Sequence, residues 1–166
     1  SPATAYGESK LAGERAVLIA HPDGGYVVRV AWVYGEHGSN FVKTMLGLAA
    51  SRETVSVVTD QVGQPTWAGD VAGALIAVAS ADSSAVAPGV YHYTSEGSCS
   101  WFEFAREVFA LAGLDAARVL PTTSAEFVRP AARPAYSVLS HEKWLAAGLP
   151  PMRGWREALV ASGVVR

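Results

Sequence analysis

The run Tyr26–Tyr34 constrains the fold more than any other part of the sequence. Its residues are almost all β-branched or aromatic, which is typical of a strand covered on both faces. Strands of that kind occur in parallel sheets, where helices pack on each side. The run therefore favours an α/β fold built on a parallel sheet.

Helical and extended segments alternate along the rest of the chain, as expected of an α/β protein. Apolar spacing and stop signals predict helices at Tyr6–Ala20, Phe41–Ala50, Asp70–Ser80, Trp101 to Gly113, Glu142–Ala147 and Trp155–Ala161. Extended segments are predicted at Val55–Val58, Val90–Thr94 and Tyr136–Leu139, with irregular chain at Asp60–Thr66 and Pro121–Pro134. Ser100 and Glu103 have the spacing of a capping box.

Composition excludes several classes of protein. The 166 residues are half hydrophobic and only 17% charged, so a disordered chain is not expected. The net charge of −2 provides no basic field for nucleic acid, and no apolar run approaches the ~20 residues of a membrane span. The single cysteine, Cys99, excludes an internal disulfide, and the four histidines lack metal-ligand spacing. We expect a cytoplasmic protein with no metal, no nucleic acid and no membrane partner.

Tyr6 and Lys10 are the sharpest chemical signal in the sequence. Residues four apart share a face of a helix, so the phenol and the ammonium point towards one site. An ammonium close to a phenol favours the phenolate, which makes the tyrosine a usable proton donor. The spacing alone is also common among surface residues at the start of a helix, so its interpretation depends on the segments around it.

Those segments follow one another in a specific order. They are Tyr6–Glu14, Arg29–Gly35, Gly38–Leu46, Asp60–Thr66, Gly89–His92 and Arg133–Leu139. In this order they closely resemble the dTDP-4-dehydrorhamnose reductase family of extended short-chain dehydrogenase/reductases. The resemblance runs through essentially the whole chain.

The resemblance implies an oxidoreductase that uses NADPH or NADH to reduce the C4 keto group of dTDP-4-dehydro-L-rhamnose to dTDP-L-rhamnose. Tyr6 matches the tyrosine that donates the proton to the substrate carbonyl. Lys10 matches the lysine that holds the nicotinamide ribose and tunes the tyrosine. Both residues are therefore expected to be catalytic and to bind the cofactor.

The resemblance also implies a substrate site. Trp32 matches an aromatic residue that packs against the deoxysugar, and an aromatic ring suits the apolar side of a pyranose. The other members of this site are polar or cationic and suit sugar hydroxyls, the nucleotide or the diphosphate: Asn40, Lys43, Gln64, Thr66 and Arg133. Without the resemblance, Trp32 is interpreted as a core residue and Arg133 as a solvated one.

The cofactor cradle has no counterpart in the sequence. Neither Gly-x-Gly-x-x-Gly nor Gly-x-x-Gly-x-x-Gly occurs among the 16 glycines, although backbone amides in such a turn normally approach the pyrophosphate. The catalytic Ser or Thr that precedes the tyrosine in the family is also missing. We therefore expect a fragment of a longer reductase, or a chain that pairs with another polypeptide supplying the first half.

The resulting expectation is an α/β fold: the C-terminal part of a Rossmann-like NAD(P)-binding domain plus a smaller substrate-binding α/β region. Residues of about 1–39 and 68–95 are assigned to the Rossmann-like part, and about 40–67 and 96–166 to the substrate-binding region. Alone, the chain is expected to show little or no turnover. A homodimer remains open.

Two other functions stay open at this stage. One is a non-catalytic or regulatory protein of the same fold that binds a sugar nucleotide or a dinucleotide. The other is a different extended short-chain reductase, or an epimerase, that acts on a nucleotide-sugar. Tyr6 together with Lys10 favours an enzyme, and the segments Trp32–Tyr34 and Asn40–Phe41 favour the reductase.

Overall fold

A computed structural model describes residues 2, 4–82, 85–126 and 133–165 of the chain. Six helices lie in these residues: α1 (Ala5–Ala20), α2 (Phe41–Ser51), α3 (Ala68–Ser80), α4 (Trp101–Leu111), α5 (Glu142–Ala146) and α6 (Trp155–Ser162). The strands are β1 (Tyr26–Arg29), β2 (Val33–Tyr34), β3 (Val55–Val58), β4 (Val62–Gly63), β5 (Thr66–Trp67), β6 (Gly89–His92), β7 (Cys99–Ser100) and β8 (Val119–Thr122). A single 3-10 turn, Ala116–Arg118, precedes β8. The predicted α/β class is confirmed, and each predicted helix agrees with the structure to within two residues.

The strands pair two by two, and mostly in parallel. β1 pairs with β6, β2 with β5 and β3 with β8 in parallel, whereas β4 and β7 are antiparallel. Parallel strands require a crossover connection. The helices supply these crossovers, with α2 and α3 between β1 and β6, α2 between β2 and β5, and α3 and α4 between β3 and β8.

The prediction of one continuous strand over Tyr26–Tyr34 is wrong. The chain pairs with β6 as far as Arg29, leaves the ladder, and pairs with β5 from Val33 onwards. Between the two strands the Trp32 backbone takes a φ of 47°, which no extended strand contains. The residues there are as apolar as those of the strands themselves, so the change of partner leaves no mark on the pattern of hydrophobic residues.

Two further strand predictions need correction. The stretch predicted as irregular from Pro121 begins inside β8, which pairs with β3 up to Thr122; a proline fits there because β8 has a partner on one side only in the described sheet. The irregular stretch Asp60–Thr66 contains β4 and the start of β5. Residues 127–132 of the predicted irregular segment lie outside the described residues.

Two hydrophobic clusters form the core. The first joins α2, α4, α6, β3 and β8, and its buried members include Val42, Met45, Val57, Phe104, Val108, Phe109 and Leu159. The second joins α3, β6 and the segment 144–152, and includes Val78, Tyr91, Tyr93, Trp144, Leu149 and Met152. The contacts of the segment 144–152 with β6 join the region that the sequence assigns to substrate binding to the part that it assigns to the Rossmann-like domain.

One ion pair and a small number of other contacts attach helix α1 to β1. The helix contains no buried residue. Glu14 accepts two hydrogen bonds from Arg29, one from Nε at 2.8 Å and one from Nη2 at 2.6 Å. This bidentate arrangement is the strongest geometry for an arginine–carboxylate pair, and it fixes the position of α1 along β1.

Helix α4 begins with the capping box that the sequence predicts. The Ser100 hydroxyl accepts a hydrogen bond from the Glu103 amide at 3.1 Å, and the Glu103 carboxylate accepts one from the Ser100 amide at 2.7 Å. These bonds satisfy backbone donors at the helix end that have no partner within the helix.

In the described part of the chain, no helix has both the length and the apolar character needed to cross a membrane.

Replacing Ser100 by alanine tests the cap. The variant loses the side-chain acceptor for the Glu103 amide, and we expect the free energy of unfolding to fall by about 1 kcal/mol. Urea denaturation of the wild type and the Ser100→Ala variant measures the change. Ser98→Ala, at an exposed neighbouring serine, is the control and is expected to leave stability unchanged. Equal losses in the two variants contradict the assignment.

The Glu14–Arg29 pair predicts a pH-dependent contribution to stability. The hydrogen bonds from Arg29 hold the pKa of Glu14 below its ordinary value of 4.5, so the ionised pair stabilises the fold above that value. The stabilisation is lost as the pH falls through the lowered pKa.

We therefore expect Glu14→Gln to be less stable than the wild type at pH 7, by under about 1 kcal/mol because the pair is partly exposed. The difference should vanish in acid below the lowered pKa, as measured by urea denaturation at several pH values. Glu8→Gln, at an exposed carboxylate of the same helix, is the control. A difference that persists unchanged in acid contradicts the prediction.

Candidate functional site

Tyr6 and Lys10 lie on an open face of α1. Tyr6 is 74% exposed and Lys10 is exposed as well, one helical turn apart. The Thr4 hydroxyl caps the helix by accepting a hydrogen bond from the Gly7 amide at 3.1 Å, so the first turn, which carries Tyr6, is formed. The two side chains are thus available together on one face of an ordered helix.

The ion pair shows where this face lies relative to the sheet. The end of α1 is next to the start of β1, because the Gly25 amide donates to the His21 carbonyl at 2.7 Å. Glu14, in the middle of the helix, meets Arg29 at the end of the strand, so helix and strand run in opposite directions. At 1.5 Å per residue, Lys10 and Tyr6 lie about 6 and 12 Å further along the helix than Glu14. They therefore extend beyond the carboxyl end of β1, where ligands bind in open α/β sheets.

Trp32 follows β1 at the same edge of the sheet. Its indole stacks on that of Trp101, with ring centroids 3.5 Å apart and an angle of 10° between the planes. The ring is half-buried, so one face is covered by Trp101 while part of the indole stays accessible. The predicted contact of Trp32 with a sugar therefore has to use the part that Trp101 leaves free.

Asn40 and Lys43 hold the loop that follows β2. The Asn40 side chain donates to the Gly35 carbonyl at 2.8 Å and accepts from the Lys43 amide at 3.1 Å, which caps α2. The Lys43 ammonium donates to the Glu36 carbonyl. Asn40 also lines a shallow pocket of about 520 Å³ beside Tyr34. The structure brings Asn40 and Lys43 together, but most of their polar groups already have partners within the chain.

Gln64 and Thr66 are buried, contrary to the expectation that they lie in a loop facing a nucleotide. Gln64 is 3% exposed and Thr66 is fully buried. The Gln64 amide oxygen accepts from the Leu139 amide at 2.8 Å, and the Thr66 hydroxyl donates to the Gln64 carbonyl at 3.0 Å. The Gln64 amide nitrogen also donates to the Ser95 carbonyl at 3.4 Å, so these bonds tie three segments of the chain together, and neither side chain reaches an open surface.

Arg133 lies at a cavity of about 660 Å³. Apolar side chains of α2 and β3 line it together with polar side chains. The lining includes Phe41, Met45, Arg52, Gln61, Trp101 and Arg133. The cavity thus combines apolar and aromatic surface with two arginines.

Sequence reasoning missed two residues of this cavity, Arg52 and Trp101. Trp101 directly follows the Ser100 cap, and its helical spacing placed it with the core residues of α4. Arg52 directly follows α2 as its C-cap and carries no motif. The half-burial of Trp101 is visible only in the structure.

The cysteine thiol and the metal-ligating side chains of the described residues offer no second candidate site. Burial raises the pKa of the Cys99 thiol to about 12, and a thiol that stays protonated is a poor nucleophile. Among the residues that the structure describes, no three His, Cys, Asp or Glu side chains are grouped so that they could hold a metal ion. The candidate chemistry therefore rests on Tyr6 and Lys10.

The donor set of α1 fits one part of a nicotinamide dinucleotide. A phenol and an ammonium on one face can bond to ribose hydroxyls and to a carbonyl oxygen. The chain has no glycine-rich turn for the pyrophosphate, so its residues fit the nicotinamide end of such a cofactor and leave the pyrophosphate without a cradle.

Curated relatives match nearly the whole chain. A dTDP-4-dehydrorhamnose reductase of Streptomyces griseus is 54% identical over 162 residues, which cover 97% of this chain and 53% of the relative. A dTDP-4-keto-6-deoxy-D-glucose reductase of Streptomyces niveus is 48% identical over 159 residues, covering 96% of this chain and 54% of the relative. The chain thus spans about half the length of the curated relatives it matches.

A solved structure shows the same fold. The crystal structure of dTDP-4-dehydrorhamnose reductase from Bacillus anthracis, in complex with NADP, superposes with a TM-score of 0.89 at 39% identity. The match covers all of this chain and 57% of the solved one. A family model described as the RmlD substrate binding domain matches residues 1–163. The chain therefore belongs to the RmlD substrate-binding domain family.

Proposed function

We propose that this chain forms the substrate-binding half of an NAD(P)H-dependent oxidoreductase that reduces the C4 keto group of dTDP-4-dehydro-L-rhamnose to dTDP-L-rhamnose. The observation that carries the proposal is the exposed Tyr6–Lys10 pair, which Glu14 and Arg29 hold beyond the carboxyl end of β1. The identity of 54% to a relative named dTDP-4-dehydrorhamnose reductase supports the choice of reaction.

Tyr6 acts as the proton donor in this reaction. As C4 changes from a carbonyl to an alcohol, negative charge develops on its oxygen, and the Tyr6 hydroxyl donates its proton there. Lys10 stabilises the resulting phenolate by its charge and binds the ribose hydroxyls of the cofactor. When bound, NADPH or NADH supplies the hydride that is added to C4. A glycine-rich first half is needed to position that cofactor.

The nucleotide end of the substrate fits the cavity between α2, β3 and α4. Phe41, Met45 and Trp101 offer the apolar and aromatic surfaces that suit a thymine ring. Arg52 and Arg133 line the same cavity. One guanidinium group can donate two parallel hydrogen bonds to the oxygens of a phosphate. We assign the base to the apolar and aromatic surface and the diphosphate to the two arginines. Trp32 stacks on Trp101 at this cavity, Asn40 directly precedes Phe41, and we assign both to the sugar.

The sugar itself has a second candidate within the same reaction. The Streptomyces niveus relative is named for the reduction of dTDP-4-keto-6-deoxy-D-glucose, which presents the same C4 carbonyl in another ring configuration. Assays with both sugars decide between them.

We further propose a cytoplasmic setting, in keeping with the single buried and unreactive cysteine.

Tyr6→Phe tests the proton donor. The chain is joined to the N-terminal half of the Streptomyces griseus relative, and NADPH oxidation is followed with dTDP-4-dehydrorhamnose. Removal of the phenol hydroxyl is expected to lower kcat about 100-fold or more. Tyr136→Phe removes the hydroxyl of another exposed tyrosine and should retain full activity. The chain alone should show little or no turnover. Full activity of the Tyr6→Phe variant contradicts the assignment.

Arg133→Gln tests the diphosphate site. A hydrogen bond to a charged group contributes about 1.5–3 kcal/mol, so we expect the affinity of the joined protein for thymidine diphosphate to fall about tenfold or more. Isothermal titration calorimetry measures the affinity. The control is Arg106→Gln, at an exposed arginine over the Phe102 ring. It changes the net charge by the same amount as Arg133→Gln and should bind thymidine diphosphate like the wild type. Equal weakening in both variants indicates a general charge effect and contradicts a specific site.

A further inference from the structure

The backbone of Trp32 is held in an unfavourable conformation. In the described residues, Trp32 alone combines a side chain with a positive φ, at 47°. A bulky side chain rarely adopts this region, because its Cβ comes close to the backbone. Such a conformation persists only where the surrounding structure determines it, and it occurs preferentially at functional sites.

Neighbouring residues restrain Trp32 from two directions. Trp101 stacks on the indole at 3.5 Å. Gly63 lies so close to the same ring that a Cβ at this position would be 2.6 Å from Cζ2 and 2.8 Å from Nε1, distances that atoms in contact do not reach. Gly63 does not have a positive φ, so its backbone conformation does not require a glycine. The glycine is therefore required for the space that it leaves to the indole.

Trp101 is itself rigidly placed. It is the first residue of α4, directly after the capping box of Ser100 and Glu103, and its amide donates to the Gln61 carbonyl at 3.4 Å. The Phe41 ring lies 4.4 Å from its ring. Trp101 also lines the large cavity, so a single side chain contacts both the cavity and Trp32.

We infer that Trp101 is a positioning residue, which together with Gly63 holds the Trp32 indole at the angle at which it meets the substrate sugar. The inference rests on the proposed function, in which Trp32 contacts the sugar. Trp101 covers one face of the indole and leaves a defined part of it accessible. Because Trp101 also borders the cavity assigned to the nucleotide, it sets the position of the sugar contact relative to the nucleotide end.

A spectroscopic experiment tests whether Trp101 and Gly63 fix the position of the Trp32 indole. Two stacked indoles couple electronically and produce an exciton couplet in the ultraviolet circular dichroism spectrum. Difference spectra of the joined protein should show the couplet in the wild type and its loss in Trp101→Phe. Gly63→Ala retains both tryptophans but inserts a Cβ against the Trp32 ring, and it should weaken the couplet as well.

Trp67→Phe is the spectroscopic control, since it removes a half-buried tryptophan outside the stack and should leave the couplet intact. Urea denaturation shows that each variant is folded. A couplet that survives in both Trp101→Phe and Gly63→Ala overturns the inference, and so does its absence from the wild type.

A kinetic experiment tests the consequence for the substrate. In the joined protein, Trp101→Phe and Gly63→Ala should lower kcat/KM for the nucleotide-sugar about 10- to 100-fold, because a displacement of about 1 Å suffices for such a loss. The KM for NADPH should stay unchanged, which a general loss of structure would not allow. Phe102→Leu, at the next residue of α4, is the control and should retain activity.

The two experiments separate failure of the inference from failure of the proposed function. Unchanged kcat/KM in variants that have lost the couplet overturns the positioning role while the reductase assignment stands. A wild-type joined protein that reduces neither sugar overturns the proposed function and the sugar contact with it. In that case, the couplet still decides whether Trp101 and Gly63 hold Trp32.

Discussion

The change of strand partner between Arg29 and Val33 is the constraint on which the rest of the structure depends. β1 belongs to a parallel pair with β6, and β2 to a parallel pair with β5, so three residues have to carry the chain from one ladder to the next. A straight strand cannot do this, and the positive φ of Trp32 provides the bend. The bend places an indole at the carboxyl end of β1. The same end receives the first turns of α1, because the helix runs back along the strand.

The two core clusters explain how this edge is supported. One cluster packs α2, α4 and α6 around β3 and β8, and the other packs α3 and the segment 144–152 around β6. Trp32 and Trp101 lie against the first cluster, whereas the β1 residues Tyr26 and Val28 lie against the second. The bend thus lies between a strand that packs on one cluster and a tryptophan that packs on the other.

Local signals in the sequence sufficed to predict the helices and to place Tyr6 and Lys10 on one face of α1. The capping box at Ser100 and the stop at Gly113 are carried by residues within one turn of the helix ends, and the spacing of Tyr6 and Lys10 needs only helical periodicity. The break at Trp32 was missed because it depends on which strands lie alongside, and the burial of Gln64 depends on Leu139, which is 75 residues away. The family resemblance implies that Thr66 faces the nucleotide, whereas in the structure its hydroxyl donates to the Gln64 carbonyl within a buried turn. Polar side chains in the interior are recognisable only once their partners are known.

Helix α1 carries the proposed chemistry on an element that contributes no residue to either core. Ile19, at 80% exposure, and Val17 on the same helix face outward. Segments with so few buried contacts open locally at a small fraction of the free energy of global unfolding. We therefore expect the amides of α1 to exchange their hydrogens earlier than those of α4, and Tyr6 and Lys10 to lose their alignment while both cores are still intact. How long Tyr6 and Lys10 stay aligned as the temperature rises therefore depends on whether another surface covers this helix.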